Sequence, residues 1–167
     1  RLRHHRDAEL VIVGTGHRED SIRQTAALEN VSDYVRFAGF VDEERLAREY
    51  SACDIFVLPA VIDARGDTEG LGVVLLEALR YERPVVASAA GGITDIVVDG
   101  VTGWLADPGD AEVLARKLLD VASRPEEARR VASRGRMEAE TRFSWERILD
   151  ETGDVYRSAR EARRERL

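Results

Sequence analysis

The chain has 167 residues, 44% of them hydrophobic, with 25 Lys+Arg against 32 Asp+Glu and a formal net charge of −7. That length suits one domain or a little more, with apolar residues enough for a core without staples. The acidic balance argues against nucleic acid as a partner, because phosphate backbones are held by basic surfaces. Cys53 is the only cysteine, which excludes an intramolecular disulfide and a Cys-rich metal site and leads us to expect a reducing, cytoplasmic setting. No apolar run approaches the roughly 18 residues of a membrane span. The opening RLRHHRDAE is too polar for a secretory signal. It also lacks an initiator Met, so the chain is expected to be part of a longer polypeptide, and whether the full-length protein lies against the inner face of the membrane is left open.

In chain order, ELVIVG (9–14) reads as a short β-branched strand ending at Gly14, and 19–29 has helical composition with a stop near Asn30. YVRFA (34–38) reads as a second strand, followed by Gly39 and Phe40. Asp42 is a good N-cap for a helix over 43–52. DIFVLP (54–59) is almost continuously apolar, as expected for a strand covered on both faces, and is placed at or near the centre of a single parallel sheet. A polar loop (60–70) leads into a helix over 72–81, then a strand PVVAS (84–88), a glycine turn, a short helix (93–98) and a fifth strand within 99–107. Asp110 caps a helix over 111–123, Pro125 opens another to about 141, and a last helix starts near Ser144. Alternation of this kind predicts a doubly wound, Rossmann-like α/β parallel sheet with right-handed crossovers. Two parts are expected: an α/β core over 1–110 and C-terminal helices over 111–167. The mixed-sign tail after Tyr156 reads as a solvated helix face.

Several candidate chemistries fall away. Gly14 and Gly16 follow a strand, but a dinucleotide fingerprint needs a third glycine where Glu19 stands, so NAD binding is disfavoured. The two glycines are expected to turn tightly at the carboxyl edge of the sheet and to line a pocket there. His17 reads as an exposed loop residue, and His4 and His5 carry no argument. Asp63 and Asp67 read as solvated loop acids. No His-Glu-x-x-His, Gly-x-Ser-x-Gly or Walker lysine is present.

The strongest constellation is DTEGLGVVLLEAL (67–79). Gly70 and Gly72 bracket Leu71, so backbone can approach a ligand closely. The helix that follows aims free N–H groups and its positive dipole end at that ligand, which fits a diphosphate. Glu77 lies five residues into the helix, roughly 7 Å along its axis at 1.5 Å per residue, about the reach from a phosphate to the ribose of one nucleotide. A carboxylate accepts from two vicinal hydroxyls; Glu69, across the phosphate, is placed to do the same for a second sugar. Ordinary surface acids remain the competing explanation, although Glu77 interrupts the apolar run VVLLEAL.

With these residues in view, the chain resembles the C-terminal, donor-binding domain of retaining glycosyltransferases of the two-domain GT-B fold, group 1 (family 4). That class carries Glu, seven residues, then Glu, with a glycine pair after the first. Glu69, Gly70, Gly72 and Glu77 match it. VIVGTG, VRFAGFVD, CDIFVLPA, PVVASAAGGITDIVVDGVTGWLADPGD and FSW (143–145) are similar to the family's other landmarks. The resemblance implies that Glu69 bonds the transferred sugar as the catalytic carboxylate. It implies that amides of Gly70, Leu71, Gly72 and Val73 hold the diphosphate, Glu77 the ribose, and the backbone of Phe40 and Val41 the base. It further implies a nucleoside-diphosphate-sugar donor, no metal or other cofactor, retention by same-face attack, and a missing N-terminal acceptor-binding domain as partner. The final helix is expected to cross toward that domain, with Trp145 anchoring its start and 157–167 making few apolar contacts. The chain lacks the Gly-Arg…Lys-Gly segment that the family places before VIVG. A nucleotide-sugar epimerase of similar fold and a non-catalytic nucleotide- or sugar-binding module stand as alternatives.

Overall fold

A computed structural model describes residues 8–164; His4, His5 and the last three residues of the tail lie outside the described residues. Within it, five strands alternate with helices before the chain becomes all-helical. The strands are β1 (Leu10–Val13), β2 (Val35–Gly39), β3 (Phe56–Leu58), β4 (Val85–Ser88) and β5 (Trp104–Ala106). The helices are α1 (Glu19–Leu28), α2 (Glu43–Ala52), α3 (Val73–Arg80), α4 (Ile93–Ile96), α5 (Ala111–Ser123), α6 (Pro125–Arg142) and α7 (Trp145–Arg164). A 3₁₀ turn at Ser32–Tyr34 precedes β2.

Local chemistry sets these boundaries. Asn30 takes a left-handed φ of +55° just past α1, a conformation its short polar side chain tolerates. The Asp42 carboxylate accepts from the Arg45 N–H at 2.8 Å and caps α2. Asp110 does the same for α5, accepting from the Glu112 and Val113 N–H groups at 2.9 Å. Both satisfy donors that a helix start otherwise leaves orphaned. Ser144 caps α7 by accepting from the Arg147 N–H at 3.2 Å.

Every strand pairing is parallel, as expected, but the strands form two sheets rather than one: β1–β2, and β3–β4–β5. The expectation that 54–58 sits at the centre is therefore corrected. β4 is the central strand, with all four of its residues buried, and β3 is an edge strand whose Phe56, Val57 and Leu58 are only half-buried. Val85 and Ala87 of β4 pack with Leu75, Leu79, Ile93 and Ile96, while Val86 packs with Trp104, Val121, Ala128 and Val131. Alternate residues of one strand thus feed two cores, one under α3 and α4, the other under α5 and α6. Helix α2 ties the sheets together. Arg36 of β2 makes a two-pronged bond to Glu49 of α2 at 2.9 Å, and Tyr50 of α2 sits in the core beneath α3.

The start of α7 is a second correction. Trp145 is 77% exposed and anchors nothing. The preceding Phe143 packs against the α3 core instead. Along α7, Leu149, Val155 and Tyr156 are also exposed, and the described residues of 157–163 are exposed throughout. None of the helices among the described residues is long and apolar enough to cross a membrane.

Candidate functional site

The loop between β3 and α3 is built around backbone. Gly72 takes a left-handed conformation, φ +81° and ψ +48°, as the residue before α3, and offers no side-chain cap. The Glu69 carboxylate takes that part: its Oε1 accepts from the Gly72 N–H at 3.1 Å. Among the described residues the N–H groups of Leu71, Val73 and Val74 find no protein acceptor. The start of α3 therefore presents unpaired donors and the positive end of the helix dipole.

A second glycine turn holds this loop in place. After β4, the Gly92 N–H donates to the Gly70 carbonyl at 3.1 Å and leans on the Glu69 carbonyl at 3.4 Å. A Cβ on Gly92 would lie 2.9 Å from the Leu71 Cα, and one on Gly91 2.8 Å from the Thr68 methyl; both would fall closer still to the carbonyl oxygens of Gly70 and Glu69. The two turns stack backbone on backbone, which only glycine permits. Sequence reasoning placed Gly91 and Gly92 in a turn but did not connect them to residues 69–70.

Glu77 is half-buried on α3. Its Oε2 accepts from the Tyr50 hydroxyl at 2.7 Å. Tyr50 is 7% exposed, stacks on Tyr81 with centroids 5.4 Å apart and meets Phe56 at 5.6 Å. Burial, and then the Glu77 carboxylate, push the Tyr50 phenol well above its ordinary pKa, so it remains a protonated donor. Sequence reasoning missed Tyr50 entirely. The only signal for it was an aromatic at the end of a helix whose other residues are mostly charged.

Phe40 and Val41 form the turn between β2 and the Asp42 cap. Phe40 is 87% exposed, and Val41 is half-buried. Gly14, at φ +107°, donates its N–H to the Gly39 carbonyl at 2.8 Å, joining the loops at the carboxyl ends of β1 and β2. Gly14 and Gly16 line an open apolar depression of about 210 Å³ with Ile12, Ile22 and Phe37; neither Glu69 nor Glu77 belongs to it. His17 is exposed. Asp63 is spent on its own turn, its Oδ1 accepting from the Arg65 and Asp67 N–H groups at 2.8 and 2.9 Å. Cys53 closes α2, its thiol directed to the Tyr50 carbonyl at 3.4 Å and raised in pKa first by burial.

Residues 1–138 match the family of glycosyl transferases group 1. The chain belongs to that family. It is 36% identical over 136 residues to the amylovoran biosynthesis glycosyltransferase AmsK of Erwinia amylovora, covering 81% of this chain and 33% of AmsK. It is 33% identical over 153 residues to a GDP-mannose-dependent monoacylated alpha-(1-6)-phosphatidylinositol monomannoside mannosyltransferase of Corynebacterium glutamicum, covering 91% and 39%. Among solved structures it superposes on Anabaena HepE in complex with UDP with a TM-score of 0.80 and 25% identity, covering 90% of this chain and 41% of HepE. The chain thus spans well under half the length of these three relatives. The Rossmann-like α/β fold expected from the sequence is the one these glycosyltransferases share.

Proposed function

We propose that this chain is the donor-binding half of a retaining, metal-independent group 1 glycosyltransferase that moves a hexose-type sugar from a nucleoside diphosphate to an acceptor held by an N-terminal domain. The observation that carries the reading is the start of α3: unpaired N–H groups behind a left-handed Gly72, with a half-buried carboxylate on each side in sequence. The amides of Gly70, Leu71, Gly72 and Val73 bind the diphosphate, and the helix dipole supplies positive potential there. Glu77 accepts from the ribose hydroxyls, and the backbone at Phe40 and Val41 meets the base. Gly14 and Gly16 line the edge of the donor cleft. Glu69 holds the transferred sugar and leaves the Gly72 amide to the phosphate when donor enters, since two anions at one helix start repel.

In the transfer step the bond from the anomeric carbon to the leaving phosphate oxygen breaks. The acceptor oxygen bonds to that carbon on the same face, and its proton passes to the leaving phosphate. Amides aimed at the diphosphate stabilise the charge that develops on it. The exposed apolar residues of α7 support the expectation that further chain completes the cleft, with 111–167 reaching toward it. UDP in HepE and the GDP-mannose dependence of the Corynebacterium enzyme support a nucleoside-diphosphate donor and leave its base open. A single free thiol suits the cytoplasm.

The test uses the full-length protein with Glu77→Gln and Glu69→Gln. Charge-assisted bonds contribute roughly 1.5–3 kcal/mol, so Glu77→Gln weakens the bare nucleoside diphosphate and the donor by about 10- to 100-fold. Glu69→Gln removes the anion that competes for the Gly72 amide, so it does not weaken the bare diphosphate, and it lowers turnover more than donor binding. Equal loss of diphosphate binding in both, or loss in neither, defeats this assignment of roles, and assaying the full-length protein for donor hydrolysis or transfer separates the enzyme from the epimerase and binding-module alternatives.

A further inference from the structure

We infer that Tyr50 is a positioning residue for ribose recognition: its buried hydroxyl, bonded to Glu77 Oε2, fixes the plane of that carboxylate so that the remaining oxygen lone pairs meet the two vicinal hydroxyls of the donor. The inference rests on the reading of Glu77 given above. An ionised carboxylate offers about four acceptor directions. Left to rotate on a partly exposed helix face, it would share them with water. The 2.7 Å bond from Tyr50 takes one of them. The tyrosine that gives this bond is itself packed: 7% exposed, stacked on Tyr81 at an interplanar angle of 11° and against Phe56. The hydroxyl has no equal alternative, because the Val74 carbonyl stands at 3.5 Å.

A burial-only explanation is less economical. A phenylalanine would fill the same stack without placing a hydroxyl against a charge, and a buried hydroxyl is spared desolvation cost only if it is bonded. Helix α2 carries the Phe40–Val41 turn at its start and Tyr50 in its last turn. One rigid element therefore sets both the proposed base contact and the ribose acceptor.

The experiment measures affinities of the full-length protein for UDP and GDP and for their 2′,3′-dideoxy counterparts, in the wild type, Tyr50→Phe, Glu77→Gln and the double variant. For whichever nucleotide binds, Tyr50→Phe is expected to lose about tenfold on the ribonucleotide and little on the dideoxynucleotide, because a Glu77 carboxylate free to rotate must be ordered when the ribose binds. The double variant is expected to be no worse than Glu77→Gln alone, since Tyr50 acts through Glu77. The ratio of the two affinities reads only folded protein, so a lowered melting temperature does not mimic the result. Equal losses on both nucleotides, no loss on either, or additive losses in the double variant overturn the inference while Glu77→Gln still discriminates. If Glu77→Gln itself shows no ribose discrimination, the ribose assignment of Glu77 falls, and the role of Tyr50 with it.

Discussion

Gly92→Ala tests whether the turn after β4 holds the loop before α3. The added Cβ would stand 2.9 Å from the Leu71 Cα and 3.1 Å from the Gly70 carbonyl carbon. Carbon atoms rest at about 3.5–4.0 Å, and the Gly70 carbonyl oxygen stands closer to the added Cβ than either carbon, so the two backbones must part by well over half an ångström. No flexible side chain can yield, because both neighbours are main chain. Separation stretches the Gly92 N–H bond to the Gly70 carbonyl from 3.1 Å and moves the Leu71, Gly72 and Val73 amides together. Overpacking of this kind costs about 1–3 kcal/mol. The expected result is a lowered unfolding midpoint and a nucleoside diphosphate affinity reduced by about tenfold or more, because displaced donors lose their common target. Denaturant unfolding and calorimetric titration of the full-length protein measure the two effects. A variant that melts lower yet binds nucleotide normally would refute the coupling between the two turns, and one that neither melts lower nor loses affinity would refute the geometry.

Two further perturbations follow from the packing. Thr102, 3% exposed, accepts from the Val98 N–H at 2.9 Å and donates to the Ile96 carbonyl at 3.3 Å. Thr102→Val keeps the shape but strands both groups, so a loss of about 1–3 kcal/mol is expected in denaturant unfolding. Glu49 is held below the ordinary carboxylate pKa chiefly by its hydrogen bonds from Arg36. A depressed folded value contributes stability above the unfolded carboxylate range and loses it as pH falls through the folded value. Urea midpoints compared at pH 7 and pH 3 should therefore fall further in the wild type than in Glu49→Gln; equal falls would show that the link between β2 and α2 contributes nothing.

The helices were legible because their ends are written in side chains. Asp42 and Asp110 cap where capping residues should, and Asn30 stops α1. The candidate site was legible in the spacing of Glu69, Gly70, Gly72 and Glu77, since a glycine-rich approach to a helix start has few other physical uses. The parts that were not legible depend on contacts distant in sequence. Tyr50 reaches Glu77 across 27 positions, and Gly92 reaches Gly70 across a whole helix and strand. Nothing within a local window distinguishes a tyrosine that donates to a carboxylate from one that merely fills the core. The aromatic pair at 143–145 shows the same limit: either ring could anchor α7, and the structure chooses Phe143 because it is the one that packs against the α3 core.

The misplacement of β3 has a different origin. Hydrophobic pattern reports whether the faces of a strand are covered, because side chains project from the faces. Neighbours in a sheet meet at the edges, through main-chain groups that every residue carries alike. DIFVLP and PVVAS are both almost wholly apolar, so the pattern assigns both to the interior. What separates them is that β4 has a hydrogen-bonded strand on each side and β3 on one only. Burial follows: all of Val85–Ser88 is inaccessible, while Phe56–Leu58 remains half-covered although its residues are larger. An apolar strand left with an open edge is unusual, because such an edge invites pairing and soluble proteins guard it with charge, proline or a covering element. Within β3 itself no charged residue or proline stands guard: Asp54 precedes it and Pro59 follows it. Its composition is that of an interior strand, and its single neighbour is that of an edge. This mismatch lies beside the loop that carries Glu69, so the packing of β3 also bears on the geometry of the proposed donor cleft.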